Sequence, residues 1–75
     1  MIAKYVRTEN GDYLLQVESE VLFPRWGFAL VDDDGLTYEG GFGFSPWRVV
    51  PDEEVPADVR QRFESIIESL SLIHI

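Results

Sequence analysis

Apolar and polar positions divide this chain into a strand-rich first two-thirds and a helical last third. Residues 2–8, IAKYVRT, are dominated by β-branched and aromatic types and predict a first strand. In YLLQVE, residues 13–18, Tyr13, Leu15 and Val17 alternate with Leu14, Gln16 and Glu18, which predicts a second strand. Between them, Asn10-Gly11 predicts a tight hairpin, because both residues tolerate positive φ. RWGFALV, residues 25–31, alternates again and sets Trp26, Phe28 and Leu30 on one face. Val21 and Phe23 are placed to extend the second strand, but Pro24 lacks the N–H a ladder needs and marks a turn or edge.

DDDG, residues 32–35, is the next turn, and LTYEGGFGF, residues 36–44, predicts a fourth strand carrying Leu36 and Tyr38. Its glycines at 40, 41 and 43 call for a bulge, a sharp coil or the close approach of another backbone, with Phe42 and Phe44 on one face. PWRVV, residues 46–50, reads as a short fifth strand or as the end of the fourth after a kink at Pro46.

The period changes after the linker at residues 51–55. Val59, Phe63, Ile66, Ile67 and Leu70 recur at helical spacing, with Arg60, Gln61, Glu64, Ser65, Glu68 and Ser69 on the other face. Pro56 suits the first helical position, and Asp58 suits the positive end of the helix dipole. SLIHI, residues 71–75, fits both a prolonged helix and an extended tail. The expected architecture is a single α+β domain over residues 1–75. A four- or five-stranded antiparallel meander within residues 2–50, a curled sheet, is followed by one amphipathic helix at about 56–71 packed on it.

Composition narrows the function. A domain of 75 residues buries only about 60% of the surface its unfolded chain exposes. With no cysteine, neither a disulfide nor a zinc site of the cysteine type is available, so stability rests on apolar packing, for which ten aromatics are ample. No run approaches the roughly 20 apolar residues a bilayer span needs, and MIAKYVRTENG does not read as a secretory signal, so a cytoplasmic location is expected. Fourteen acids against six bases leave a net charge of −8, a field that repels phosphate backbones and anionic membranes and either simply keeps the chain soluble, as acidic balance commonly does, or favours a basic partner.

GGFGFSPW, residues 40–47, matches five of the seven specified slots of the RNP1 motif of RNA-recognition domains. The mismatches matter: Gly40 stands where a base meets phosphate, and Ser45 where an aliphatic anchors the strand. Pro46 interrupts the ladder, and no helix separates the early strands as that fold requires. Cold-shock barrels carry a similar GFGF, but a second aromatic strand follows it there, whereas RVVPDEEVP follows here. Direct nucleic-acid binding is not expected.

Two clusters, FPRWGF (23–28) and FSPWRV (44–49), each join a proline, a tryptophan and an arginine. Trp and Arg are enriched in binding hot spots, and each indole also fits a core position with its N–H partnered. Arg25 and Arg48 belong at the surface in either case. Asp32 and Asp34 fit the first two ligand slots of a calcium loop, but Leu36 occupies the third and Gly35 comes too early, so a solvated turn is expected and no metal.

Catalytic chemistry has little to draw on. The one histidine, His74, is next to last; no serine sits in a nucleophile elbow; the one lysine, Lys4, lies in no phosphate loop. No enzyme activity and no cofactor are expected. The expectation is a small acidic, non-catalytic module that binds another protein, an adaptor, inhibitor or accessory factor. Its contact residues would be Arg25, Trp26, Phe44, Trp47 and Arg48, with Asp32, Asp33 and Asp34 as steering charge. Two alternatives are an acidic mimic of nucleic acid that inhibits a DNA-binding protein and a structural subunit of a homo-oligomer. The first needs acids in a row on one face; the second would use the helix and its tail.

Overall fold

The first hairpin shows how local chemistry sets the sheet. β1 (Ile2–Thr8) turns into β2 (Tyr13–Glu18) through the four residues 9–12. Thr8 N–H donates to Asp12 O and Gly11 N–H to Thr8 O, both at 2.9 Å, with Gly11 at φ 90°. A type I turn closed by a left-handed glycine has this pattern, so only Gly11 needs positive φ and Asn10 keeps a negative one. β3 (Phe28–Val31) and β4 (Thr37–Glu39) are joined in the same way. Asp32 N–H donates to Leu36 O and Gly35 N–H to Asp32 O, each at 3.0 Å.

The computed structural model describes residues 1–73 and completes the fold with β5 (Trp47–Val49), a 3₁₀ turn at Asp52–Glu54 and α1 (Ala57–Ile73). The strands form one antiparallel sheet in the order β4-β3-β2-β1-β5. It is the expected α+β arrangement of an open sheet and a C-terminal helix. The first four strands run as a meander, whereas β5 lies at the far edge beside β1.

Several segments depart from the sequence reading. Residues 19–27 do not extend β2. Ser19 Oγ accepts the Leu22 N–H at 3.2 Å, its carbonyl accepts the Phe23 N–H, and the loop tucks Phe23 into the core. β3 therefore starts at Phe28, and Trp26 lies in the turn before it. The fourth strand stops at Glu39, without Leu36 and without the glycine run. Gly40, Gly41 and Gly43 all adopt φ between 69° and 93°, and three such residues in four leave no regular strand, so GGFGF is a turn that carries the chain across the sheet. Pro56 precedes the helix, and its carbonyl accepts the first helical bond from Arg60 N–H at 2.9 Å. The helix continues through SLI to Ile73; His74 and Ile75 lie outside the described residues.

The core has two layers. Tyr5, Leu15, Val17, Ala29 and Val31 point to the helix and pack with Phe23, Val50, Val55 and the fully buried Phe63. The Tyr5 and Phe63 rings meet edge to face at 5.8 Å. On the opposite sheet face, Val6, Leu14 and Leu30 are buried beneath Phe44 and Trp47. Among the described residues no helix is long and apolar enough to cross a membrane.

Candidate functional site

The sheet face turned away from the helix carries a cluster of aromatics, and glycines explain its shape. Trp47 faces this side from β5, opposite Thr8, and its indole N–H donates to Gln16 Oε1 at 3.0 Å. A Cβ on Gly41 would lie 2.8 Å from Trp47 Cη2 and 3.1 Å from Leu30 Cδ1, so the ring rests where only a glycine leaves room. A Cβ on Gly40 would lie 2.5 Å from Phe42 Cε2 and 3.2 Å from Trp26 Cγ. Two adjacent glycines thus leave room for three rings, Gly41 for Trp47 and Gly40 for Phe42 and, behind it, Trp26.

The other rings extend the patch. Phe42 meets Trp26 edge to face at 5.0 Å, and Phe28 lies 6.4 Å from Trp47. Phe44 stands perpendicular to Tyr38 at 4.9 Å and helps close the buried layer. The Arg25 guanidinium sits 5.8 Å from the Trp26 ring, within cation–π range. Exposure is uneven: Phe44, Phe28 and Trp47 are half-buried, whereas Trp26 is 49% and Phe42 65% exposed. Ile2 and Val49 are also exposed, and the strand register puts them on this same face.

Of the residues singled out from the sequence, Arg25, Trp26, Phe44 and Trp47 gather here. Arg48 does not. It projects to the helix side of β5, where its Nη2 pairs with Glu54 Oε1 at 3.2 Å, and it stands directly across from Arg7. Phe42 and Phe44, expected on one face of a strand, instead serve different neighbours.

Asp32, Asp33 and Asp34 occupy the β3–β4 turn, with carboxylate oxygens within 4.8 Å of one another. Asp32 Oδ1 accepts the N–H groups of Asp34 and Leu36 at 3.0 and 2.9 Å, and its Oδ2 accepts the Tyr38 hydroxyl at 3.0 Å. Asp33 pairs with Arg62 of the helix at 3.7 Å. These contacts give the Asp32 and Asp33 carboxylates structural work within the chain. Donation to Asp32, with burial and the charges of Asp32 and Asp34 adding to it, raises the Tyr38 phenol above its ordinary value of 10.0. A phenol held protonated in this way serves as a hydrogen-bond donor rather than a base.

The sequence reading set Phe28 with Leu30 on one face but did not name Phe42, Phe28, Ile2 or Gln16 among the contact residues. A signal was available: Leu14-Leu15 and Ala29-Leu30-Val31 are continuous apolar runs, the pattern of strands covered on both sides. Some segment had to cover the second side, and the aromatic turn does so. Comparison with known proteins supplies no relative: no family model matches the chain, and no curated protein or solved structure does.

Proposed function

We propose that this chain is a non-catalytic protein-binding module that docks its partner on the aromatic sheet face. The observation that carries the reading is the Trp26–Phe42 pair, two edge-packed rings that both remain substantially exposed. Large exposed aromatics clustered with aliphatics mark interaction surfaces, and Trp and Arg dominate hot spots. Glycine turns and the Trp47–Gln16 bond hold the patch in place, which lowers the ordering cost of association. The net charge of −8 favours a protein with a basic rim over nucleic acid or an anionic membrane, and Asp33 and Asp34 add steering charge at one end.

The test is affinity capture from the native host's lysate with the wild-type chain and with a Trp26→Ala/Phe42→Ala variant whose fold is verified by circular dichroism. A protein captured by the wild type and lost with the variant supports the reading. A partner retained equally by both sinks it.

A second reading, self-association, is favoured by Ile2 and Val49, which are exposed on the same face. Light scattering separates the two readings: a dimer that the Trp26→Ala/Phe42→Ala change converts to monomer would assign the face to a second copy.

A further inference from the structure

Arg7 and Arg48 stand directly opposite each other across β1 and β5, two of only six bases in a chain with fourteen acids. The bonds Glu9 N–H to Pro46 O and Val50 N–H to Tyr5 O bracket the pair and fix its register. Directly opposed like charges destabilise a sheet, and an anion shared by the two guanidinium groups would relieve that repulsion. Both residues line one open cleft, with Thr8, Glu9, Asn10 and Gly11.

Neither guanidinium is used up. Arg7 lies over the Tyr13 ring at 5.0 Å, and its Nε donates to Gly11 O at 3.5 Å. Among the described residues no carboxylate comes within 4.0 Å of Arg7, Glu9 included. Arg48 holds Glu54 through one nitrogen, in a pair whose arginine is 62% exposed and therefore exchangeable with solvent and competitors. Glu54 already shows which group Arg48 accepts.

We propose that Arg7 and Arg48 form a two-guanidinium clamp for a carboxylate side chain, Asp or Glu, of the partner protein. The proposal rests on the protein-binding reading and specifies the chemistry of one contact. Planar guanidinium forks match carboxylates in bidentate geometry. A neighbouring cleft lined by Arg7, Thr8, Glu9, Pro46, Trp47 and Arg48 joins both arginines to a ring of the aromatic face, so one partner can touch both. A second copy is a poor occupant, because pairing two β5 edges about Arg48 would set those arginines face to face.

The experiment is an NMR titration of the full chain with acetyl-Gly-Glu-Val-Glu-Gly-amide, reading the Arg7 and Arg48 Nε–H signals. The glutamine counterpart of the peptide and inorganic phosphate form the other arms. Saturable shifts are expected with the glutamate peptide alone. Arg7→Lys, which keeps the charge and loses the fork, should weaken binding about five-fold, as should Arg48→Lys. Glu54→Gln, which removes the internal competitor, should tighten binding about three-fold, and Asp34→Asn, an equal charge change at the far hairpin, less than two-fold.

Absent guanidinium shifts, equal binding of the glutamine peptide, or equal effects of Glu54→Gln and Asp34→Asn would overturn the clamp. Phosphate binding as tightly as the glutamate peptide would also overturn it, by assigning the cleft to phosphate. If the clamp fails while a lysate partner still depends on Trp26 and Phe42, the docking face stands; a partner indifferent to both rings removes the reading beneath the clamp.

Discussion

Trp47 and Gln16 meet across the sheet: the indole N–H of the first donates to Oε1 of the second at 3.0 Å, over 31 positions of sequence. Gln16 lies in β2 between Lys4 of β1 and Leu30 of β3, on the face away from the helix. Trp47 belongs to β5, at the sheet edge. The bond therefore spans β1 and pins a three-residue edge strand to the middle of the sheet. It also answers where a half-buried indole N–H finds its partner: a side chain, not the backbone.

Removing that partner has a defined cost. Gln16→Ala leaves the Trp47 N–H without its acceptor in a partly buried place and should lower stability by about 1 kcal/mol. Gln16→Glu keeps an acceptor and should recover most of the loss. Urea unfolding followed by tryptophan fluorescence measures both, and an alanine variant as stable as wild type would show that water replaces the bond without loss.

The glycine seats can be separated from glycine flexibility. Gly41→Ala meets both a left-handed backbone at φ 69° and a 2.8 Å approach to Trp47, with Leu30 at 3.1 Å. Strain of about 1–2 kcal/mol and overpacking of about 1–3 kcal/mol combine there. Gly43→Ala, at φ 93° with nothing within 4 Å of the new Cβ, bears only the first cost. Thermal unfolding should therefore rank Gly41→Ala well below Gly43→Ala. Equal midpoints would mean that the Trp47 ring moves aside freely.

This contrast also marks what the sequence could and could not disclose. The β1–β2 hairpin and the helix were legible because alternation, Asn10-Gly11 and the Val59–Leu70 stripe are local patterns. Glycines at 40, 41 and 43 were legible as a disruption, but a bulged strand and a crossing turn use the same letters. Choosing between them required knowing that Val6, Leu14 and Leu30 form a second apolar face in need of cover, which is a fact of sheet pairing. Likewise Arg48 looked like a neighbour of Trp47, and period two sends it to the opposite side of β5.

Arg25 and Arg48 are both exposed, and their contacts are a cation–π approach and an exposed ion pair. Such contacts contribute little net stability. Arg25→Ala and Arg48→Ala should each change unfolding free energy by less than about 0.5 kcal/mol while weakening partner binding. Chemical denaturation beside a binding isotherm checks both halves; unfolding of either variant would refute the surface role of that arginine.

Asp32 joins turn geometry to the titration of Tyr38. Asp32→Asn keeps an oxygen for the Asp34 and Leu36 N–H groups but replaces the charged acceptor of the Tyr38 hydroxyl. The Tyr38 phenol is raised chiefly by that hydrogen bond, so in Asp32→Asn it should titrate at lower pH, nearer 10.0. Tyr5, raised first by burial and then by Glu64 and Asp52, should not move, which provides an internal control. The sign follows from linkage. The folded phenol binds its proton more tightly than the unfolded one, so its contribution is fully present below pH 10.0 and is lost as pH rises through the folded value. Asp32→Asn should accordingly flatten the alkaline fall in stability assigned to Tyr38. Asp32→Ala, which also strips both turn acceptors, should cost about 1–2 kcal/mol even at neutral pH. Tyrosine Cζ chemical shifts against pH, read beside urea midpoints at pH 7 and at pH 11, above the ordinary phenol value, measure both effects. A Tyr38 titration unchanged in Asp32→Asn would remove Asp32 as its cause.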